Sequence, residues 1–153
     1  MGRRFRSRDE LREVIDRMFA MMDADPEIGP RLRATDVPQR FEFTDAGMVV
    51  NVRATRGRED GNLRWAWDDD VDWTPRVRMA MAAETANRYF QGRENIAIAI
   101  ARRRIRTSGD VRAALALIPL TKPIHARYRA MLERDYPHLV ARSSAKATFD
   151  VDT

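Results

Sequence analysis

"NIAIAIARRRIRTSGD", residues 95–110, sets three isoleucines among alanines against three consecutive arginines and closes on Gly109 and Asp110. Ile96, Ile98 and Ile100 alternate as in a strand. Ile96 and Ile100 also lie one helical turn apart, alanine is the best helix former, and Glu94 favours a helix start. As a central strand this run would extend a sheet; as a helix it covers one. The helical reading, over residues 94–101, leaves "RRIRTSG" as a strand in which Ile105 points into an apolar layer and Arg104 and Arg106 point to water.

The stretch before it supplies the rest of the sheet. Phe41 and Phe43, then Met48, Val50 and Val52, then Leu63, Trp65 and Trp67 alternate with polar neighbours across turn-rich breaks, which reads as a three-stranded antiparallel meander. "PRVRMAM" adds a fourth strand, with Val77, Met79 and Met81 on one side and Arg76 and Arg78 on the other. Every strand shows a single apolar face. The expected fold is therefore α+β: a five-stranded, mostly antiparallel sheet covered on one face by helices, its other face open.

Ser7 and Glu10 have capping-box spacing, and Leu11, Val14, Ile15, Met18, Phe19 and Met22 follow at helical intervals, so residues 8–22 are predicted helical. Further helices are expected over 83–91, with Gly92 as a stop, over 110–118, capped by Asp110, and over 123–135, opened by Pro123. Three prolines and a glycine between Asp23 and Gln39 predict an irregular connector. The whole of residues 1–153 reads as one domain with its core at about 8–135 and a loose tail over 142–153.

Composition excludes several classes. The chain has no cysteine, hence no disulfide framework, thiolate nucleophile or cysteine-bound metal, and a reducing cytoplasm suits it. No apolar run follows the N-terminal arginines, so export is not expected. The five-residue "IAIAI" is far too short to cross about 30 Å of hydrocarbon. Of 28 basic residues only Lys122 and Lys146 are lysine, a bias that fits a GC-rich bacterial genome better than a function.

The run "VRMAMAAETANRYFQGRENIAIAIARRRIRTSGDVRAALALIPL" resembles the sterol carrier protein family. The pieces that carry the likeness are a strand ending in "MAM", a short helix ending in "FQG", a second helix, a basic strand closing on Gly109 and Asp110, and a helix beginning "DVRAAL". The resemblance spans roughly residues 8–135 and implies an apolar tunnel between sheet and helices that holds a sterol, fatty acid or acyl-CoA. Where the family often has glycine before the basic strand, this chain has Arg103. The large, soft side chains of the layer, Trp65, Trp67, Met79, Met81 and Phe90, with Ile105 and Leu115, are the expected walls. Arg103 shares the parity of Ile105, so it either reaches inward to a carboxylate or phosphate at the rim or serves as a cation at a helix C-terminus.

Catalysis has little support. His125 and His138 are the only histidines, and no Ser-His-Asp order, phosphate loop or metal-ligand spacing surrounds them. Asp68, Asp69, Asp70 and Asp72 lack calcium-loop spacing and read as a solvated hairpin turn. Charge is segregated: residues 76–106 hold eight arginines against Glu84 and Glu94, while 41–75 hold eight acids against four arginines. Arg76, Arg78, Arg104 and Arg106 would form a positive patch on the open sheet face, suited to steering or to transient contact with an anionic membrane or a lipid-metabolising enzyme. That face offers no aromatic pair for stacking bases, so no specific nucleic acid is expected. Burying about 16 methylenes at about 0.8 kcal/mol each gives roughly 13 kcal/mol, against an association cost of about 4–15 kcal/mol. A passive carrier thus requires no elaborate polar site, catalytic group, metal or cofactor. The alternative is an accessory or interaction module whose core is closed.

Overall fold

Ser7 fixes the start of the first helix. Its Oγ accepts from the Glu10 backbone N–H at 3.0 Å, and the Glu10 carboxylate accepts from the Arg6 backbone N–H at 2.8 Å, so two otherwise free donors are satisfied. The helix that follows, α1 (Arg8–Ala24), buries the predicted stripe of Leu11, Val14, Ile15, Met18, Phe19 and Met22. The structure, a computed structural model, describes residues 4–141. The expected loose tail at 142–153 lies outside the described residues.

Three strands, β1 (Gln39–Phe43), β2 (Met48–Ala54) and β3 (Leu63–Trp67), form the antiparallel meander. β4 (Val77–Met81) lies parallel to β1, with Phe41 opposite Met79. β5 (Ile105–Gly109) pairs antiparallel with β4, and the sheet order is β3-β2-β1-β4-β5. The chain must therefore cross from the β3 edge to the far side of β1. It does so over the outer face, where Asp69 takes both the Nε and Nη2 of Arg40 at 2.8 and 2.9 Å and the Arg53 guanidinium stacks 4.8 Å from the Trp73 ring centroid. That crossing corrects the expectation of a fully open outer face: it buries Asn51 and Arg53 there.

The remaining helices are α2 (Ile28–Thr35), α3 (Ala83–Phe90), α4 (Ile96–Ala101), α5 (Val111–Ala116), α6 (Ile118–Thr121) and α7 (Ile124–Asp135). "NIAIAIA" is helical, as read, with the Asn95 side chain accepting from the Ile98 N–H. Two boundaries are corrected. The connector contains α2, because Pro30 falls in the first turn, where its missing N–H has no intrahelical partner, and Asp25 accepts from the Glu27 and Ile28 N–H groups. The helix predicted over 110–118 breaks into α5 and α6, Pro119 sitting in the first turn of the second.

A buried polar knot closes the core at the other end. Tyr128 donates to Asn87 Oδ1 at 2.7 Å, Asn87 and Gln91 both donate to the Leu139 carbonyl, and Gln91 Oε1 accepts from the Ala141 N–H. Every member is paired, so the burial of these amides fixes where the C-terminal segment docks.

Candidate functional site

An apolar cavity of about 80 Å³ lies between the sheet and the short helices α4–α6. Phe41, Val52, Met79 and Met81 form its floor, Phe19 and Met22 of α1 and Phe90 of α3 its sides, and Ile96, Ile100, Val111, Ala114 and Ile118 its cover. The space is smaller than a lipid tunnel because the floor and side residues themselves pack into it: Phe41, Met79, Met81 and Phe90 are all buried. Leu115 lines the cavity and is also 39% exposed, which places the mouth beside it.

Met79, Met81, Phe90 and Leu115, expected as walls, are lining residues. Trp65 and Trp67 are not. Their indole N–H groups both donate to Asp16 Oδ1 of α1, at 3.0 and 2.7 Å, and this pins helix α1 to the β3 edge. Trp65 stands one ring away from the cavity, its centroid 5.5 Å from that of Phe19. Ile105 is buried but is not a lining residue of the cavity. Arg103 is exposed and precedes β5 in a left-handed backbone conformation with φ +61°, so strand parity does not govern it and it does not reach inward. Left-handed geometry is also the physical reason for glycine at such a place.

Sequence reasoning missed the wall residue Leu32 of α2, and Val37 just after that helix, because the prolines hid the helix. It also missed the polar lining. Gln39, Thr107, Thr121 and Tyr89 reach the cavity. Thr121 donates to the Leu117 carbonyl at 3.2 Å. The Tyr89 hydroxyl is pushed above its ordinary pKa by burial, against a hydrogen bond with Thr121 that lowers it. Among the described residues Arg53 is the one charged lining residue, and strand alternation carries its guanidinium to the outer face, where Glu59 binds both Nη atoms at 2.8 and 2.9 Å. The cavity interior is thus apolar with a few neutral polar tips.

The other chemistry-bearing residues are spoken for. His125 packs edge-on against Tyr89, and its pKa is lowered by burial and by Arg129 and Lys122. His138 pairs with Glu10 of α1 at 2.9 Å. In the acidic run, Asp69 is held at about pKa 2 chiefly by its hydrogen bonds from Arg40, so it is a strut of the crossing segment. Among the described residues no group of three or more His, Cys, Asp or Glu side chains is placed to hold a metal ion.

No family model matches the sequence, and no curated protein matches it. Solved structures match the fold. UbiJ-SCP2, a ubiquinone synthesis protein, superposes with a TM-score of 0.56 at 8% identity, over 76% of this chain and 91% of that one. Apo sterol carrier protein 2 from Yarrowia lipolytica gives 0.51 at 11% identity, over 82% and 98%. The inverting sec-alkylsulfatase Pisa1 from Pseudomonas sp. gives 0.51 at 13% identity over 60% of this chain, and the present chain spans only 14% of that enzyme. The fold is that of the sterol carrier proteins, as the sequence resemblance implied.

Proposed function

We propose that this chain, built on the sterol carrier protein fold, is a non-catalytic carrier that takes an apolar ligand between its sheet and the α4–α6 cover. One observation carries the reading: the apolar cavity sits under the least anchored helices of the molecule. α5 and α6 bury no residue and α4 buries only Ala99. Segments with few buried apolar contacts open at low free-energy cost, so an 80 Å³ space under them is an entrance that widens when filled.

The walls also discriminate among ligands. Among the described residues no charged group faces the cavity, and the side chains of Gln39 and Thr107, on the same face of neighbouring rows, make no hydrogen bond. A sterol-like ligand with one neutral hydroxyl or carbonyl suits them. A fatty acid carboxylate or the phosphates of acyl-CoA would have to stay outside, since burying an unpaired charge is costly. Exchange with a membrane or a lipid-metabolising enzyme, in the cytoplasm, completes the role.

The rival is an interaction module with a closed core, favoured by the small volume of the space. Mass spectrometry of organic extracts from the purified protein separates the two. The carrier reading expects a stoichiometric apolar compound, and a delipidated sample that takes up sterol saturably and more tightly than fatty acid. An empty extract together with no saturable uptake of either lipid would leave the interaction module as the function.

A further inference from the structure

Two large apolar side chains are exposed among the described residues: Ile98, at 47%, and Leu115, at 39%. Both stand on the cover, one on α4 and one on α5, and Leu115 marks the cavity mouth. The same part of the chain carries the charge. Residues 95–132 hold seven arginines and one lysine against a single acid, Asp110, an excess greater than the net +5 of the whole chain.

Among the described residues two of these cations form ion pairs, Arg104 with Glu94 and Arg127 with Asp25, and the others form none. Asp110 is taken by Arg76 at 2.9 Å and by the Ala113 N–H that it caps. Glu94, just before α4, is taken by Arg104 at 2.6 Å. Arg102, Arg103 and Arg112 are exposed and form no ion pair among the described residues. Two of them stand against local stability. Arg103 holds a left-handed conformation at φ +61°, and Arg112 sits in the first turn of α5, where a cation opposes the helix dipole.

We propose that the α4–α5 cover docks on an anionic lipid bilayer, Ile98 and Leu115 entering the interface and Arg102, Arg103 and Arg112 meeting the headgroups. The partner is a bilayer because exposed aliphatic side chains sit beside unpaired cations at the mouth of an apolar cavity, an arrangement that lets a ligand pass from hydrocarbon to cavity without crossing water. Residues 95–118 contain no aromatic side chain on which a base would stack. This rests on the carrier reading for its purpose, though its geometry is independent of it. The surface differs from the patch expected on the outer sheet face, where Arg76 is engaged with Asp110.

Vesicle sedimentation tests the proposal. The full chain should bind phosphatidylcholine vesicles containing phosphatidylglycerol, bind pure phosphatidylcholine weakly, and lose affinity as salt rises. Arg102→Gln, Arg103→Gly and Arg112→Gln together should weaken binding by about fivefold for each charge removed. Glycine at 103 suits the backbone, so folding is retained. Ile98→Ser should weaken binding by about tenfold, the loss of one inserted aliphatic side chain. Removing the same number of charges elsewhere, as Arg56→Gln, Arg58→Gln and Arg134→Gln, should leave most of the affinity. Equal loss in both triple variants, an inert Ile98→Ser, or binding of single-stranded DNA without binding of vesicles would overturn it. Sterol uptake from solution is read in parallel: uptake that persists in a parent that ignores vesicles refutes docking alone, and vesicle binding without uptake refutes the carrier reading alone.

Discussion

Helices α1 and α5 cover the same sheet and are held by opposite means. α1 buries six side chains against it and is tied to the β3 edge by two indole N–H groups on Asp16; α5 buries none and depends on its Asp110 cap and its neighbours. α7 belongs with α1, burying Ile124, Tyr128, Met131 and Leu132, and α6 belongs with α5. One half of the helical layer supplies stability. The other half is a cover whose opening costs little, and the cavity lies beneath it.

The comparison is broken most easily by truncation. Leu132→Ala removes a fully buried side chain of α7 and should cost about 2–5 kcal/mol in urea unfolding. Leu115→Ala, on the cover, should cost within about 0.5 kcal/mol. Equal costs would mean that the cover is as firmly built as the core, and amides of α5 would then exchange with solvent as slowly as those of α1. Asp16→Ala comes next: it removes the shared acceptor of Trp65 and Trp67, and hydrogen bonds to a charged group are worth about 1.5–3 kcal/mol each at most. The half-buried setting puts the expected loss at the lower end, with altered near-ultraviolet dichroism from the freed indoles. An unchanged spectrum would detach the tryptophans from the anchored half.

Arg103→Gly sharpens the contrast from the other side. Relief of the left-handed penalty, less the entropy that glycine adds to the unfolded chain, should raise stability by about 0.5–1 kcal/mol, visible as a raised urea midpoint. A loss would show that the Arg103 side chain makes a contact worth more than its strain. Acid gives the smallest effect. Glu59 and Asp69 are depressed from their ordinary 4.5 and 3.8 to about 2, chiefly by hydrogen bonds from Arg53 and Arg40 respectively. A depressed carboxylate contributes stability that is complete above its unfolded pKa and is lost as pH falls through the folded one. Stability should therefore decline between about pH 5 and pH 2, and the Arg40→Gln variant should show a shallower decline in that window.

The sheet was legible because apolar and polar residues alternate along β1, β3 and β4, although β2 is buried continuously over Val50–Ala54, and α1 was legible because its cap and its apolar stripe agree. Helix α2 was hidden because proline usually marks a break, and only the first-turn position of Pro30 makes it harmless. The site was half legible. Met79, Met81 and Phe90 are set by strand parity and by the helix preceding Gly92, so pattern alone placed them. Trp65 and Trp67 have the same parity as the floor residues, but β3 is an edge strand, and sheet order decides that they meet α1 instead. Arg103 failed for a related reason: parity holds only inside a strand, and this residue lies before one.

Met81 offers the most direct test of the central claim, since it is buried at the cavity floor and its enlargement acts on the space itself. A fluorescent sterol is titrated into the parent and into Met81→Trp, with thermal unfolding followed on the same samples. The carrier account predicts saturable binding by the parent, binding weakened at least tenfold in the variant, and an unfolding midpoint that barely moves because the loose cover yields. No saturable binding by the parent, with the variant destabilised by the roughly 1–3 kcal/mol that overpacking costs a closed core, would contradict it.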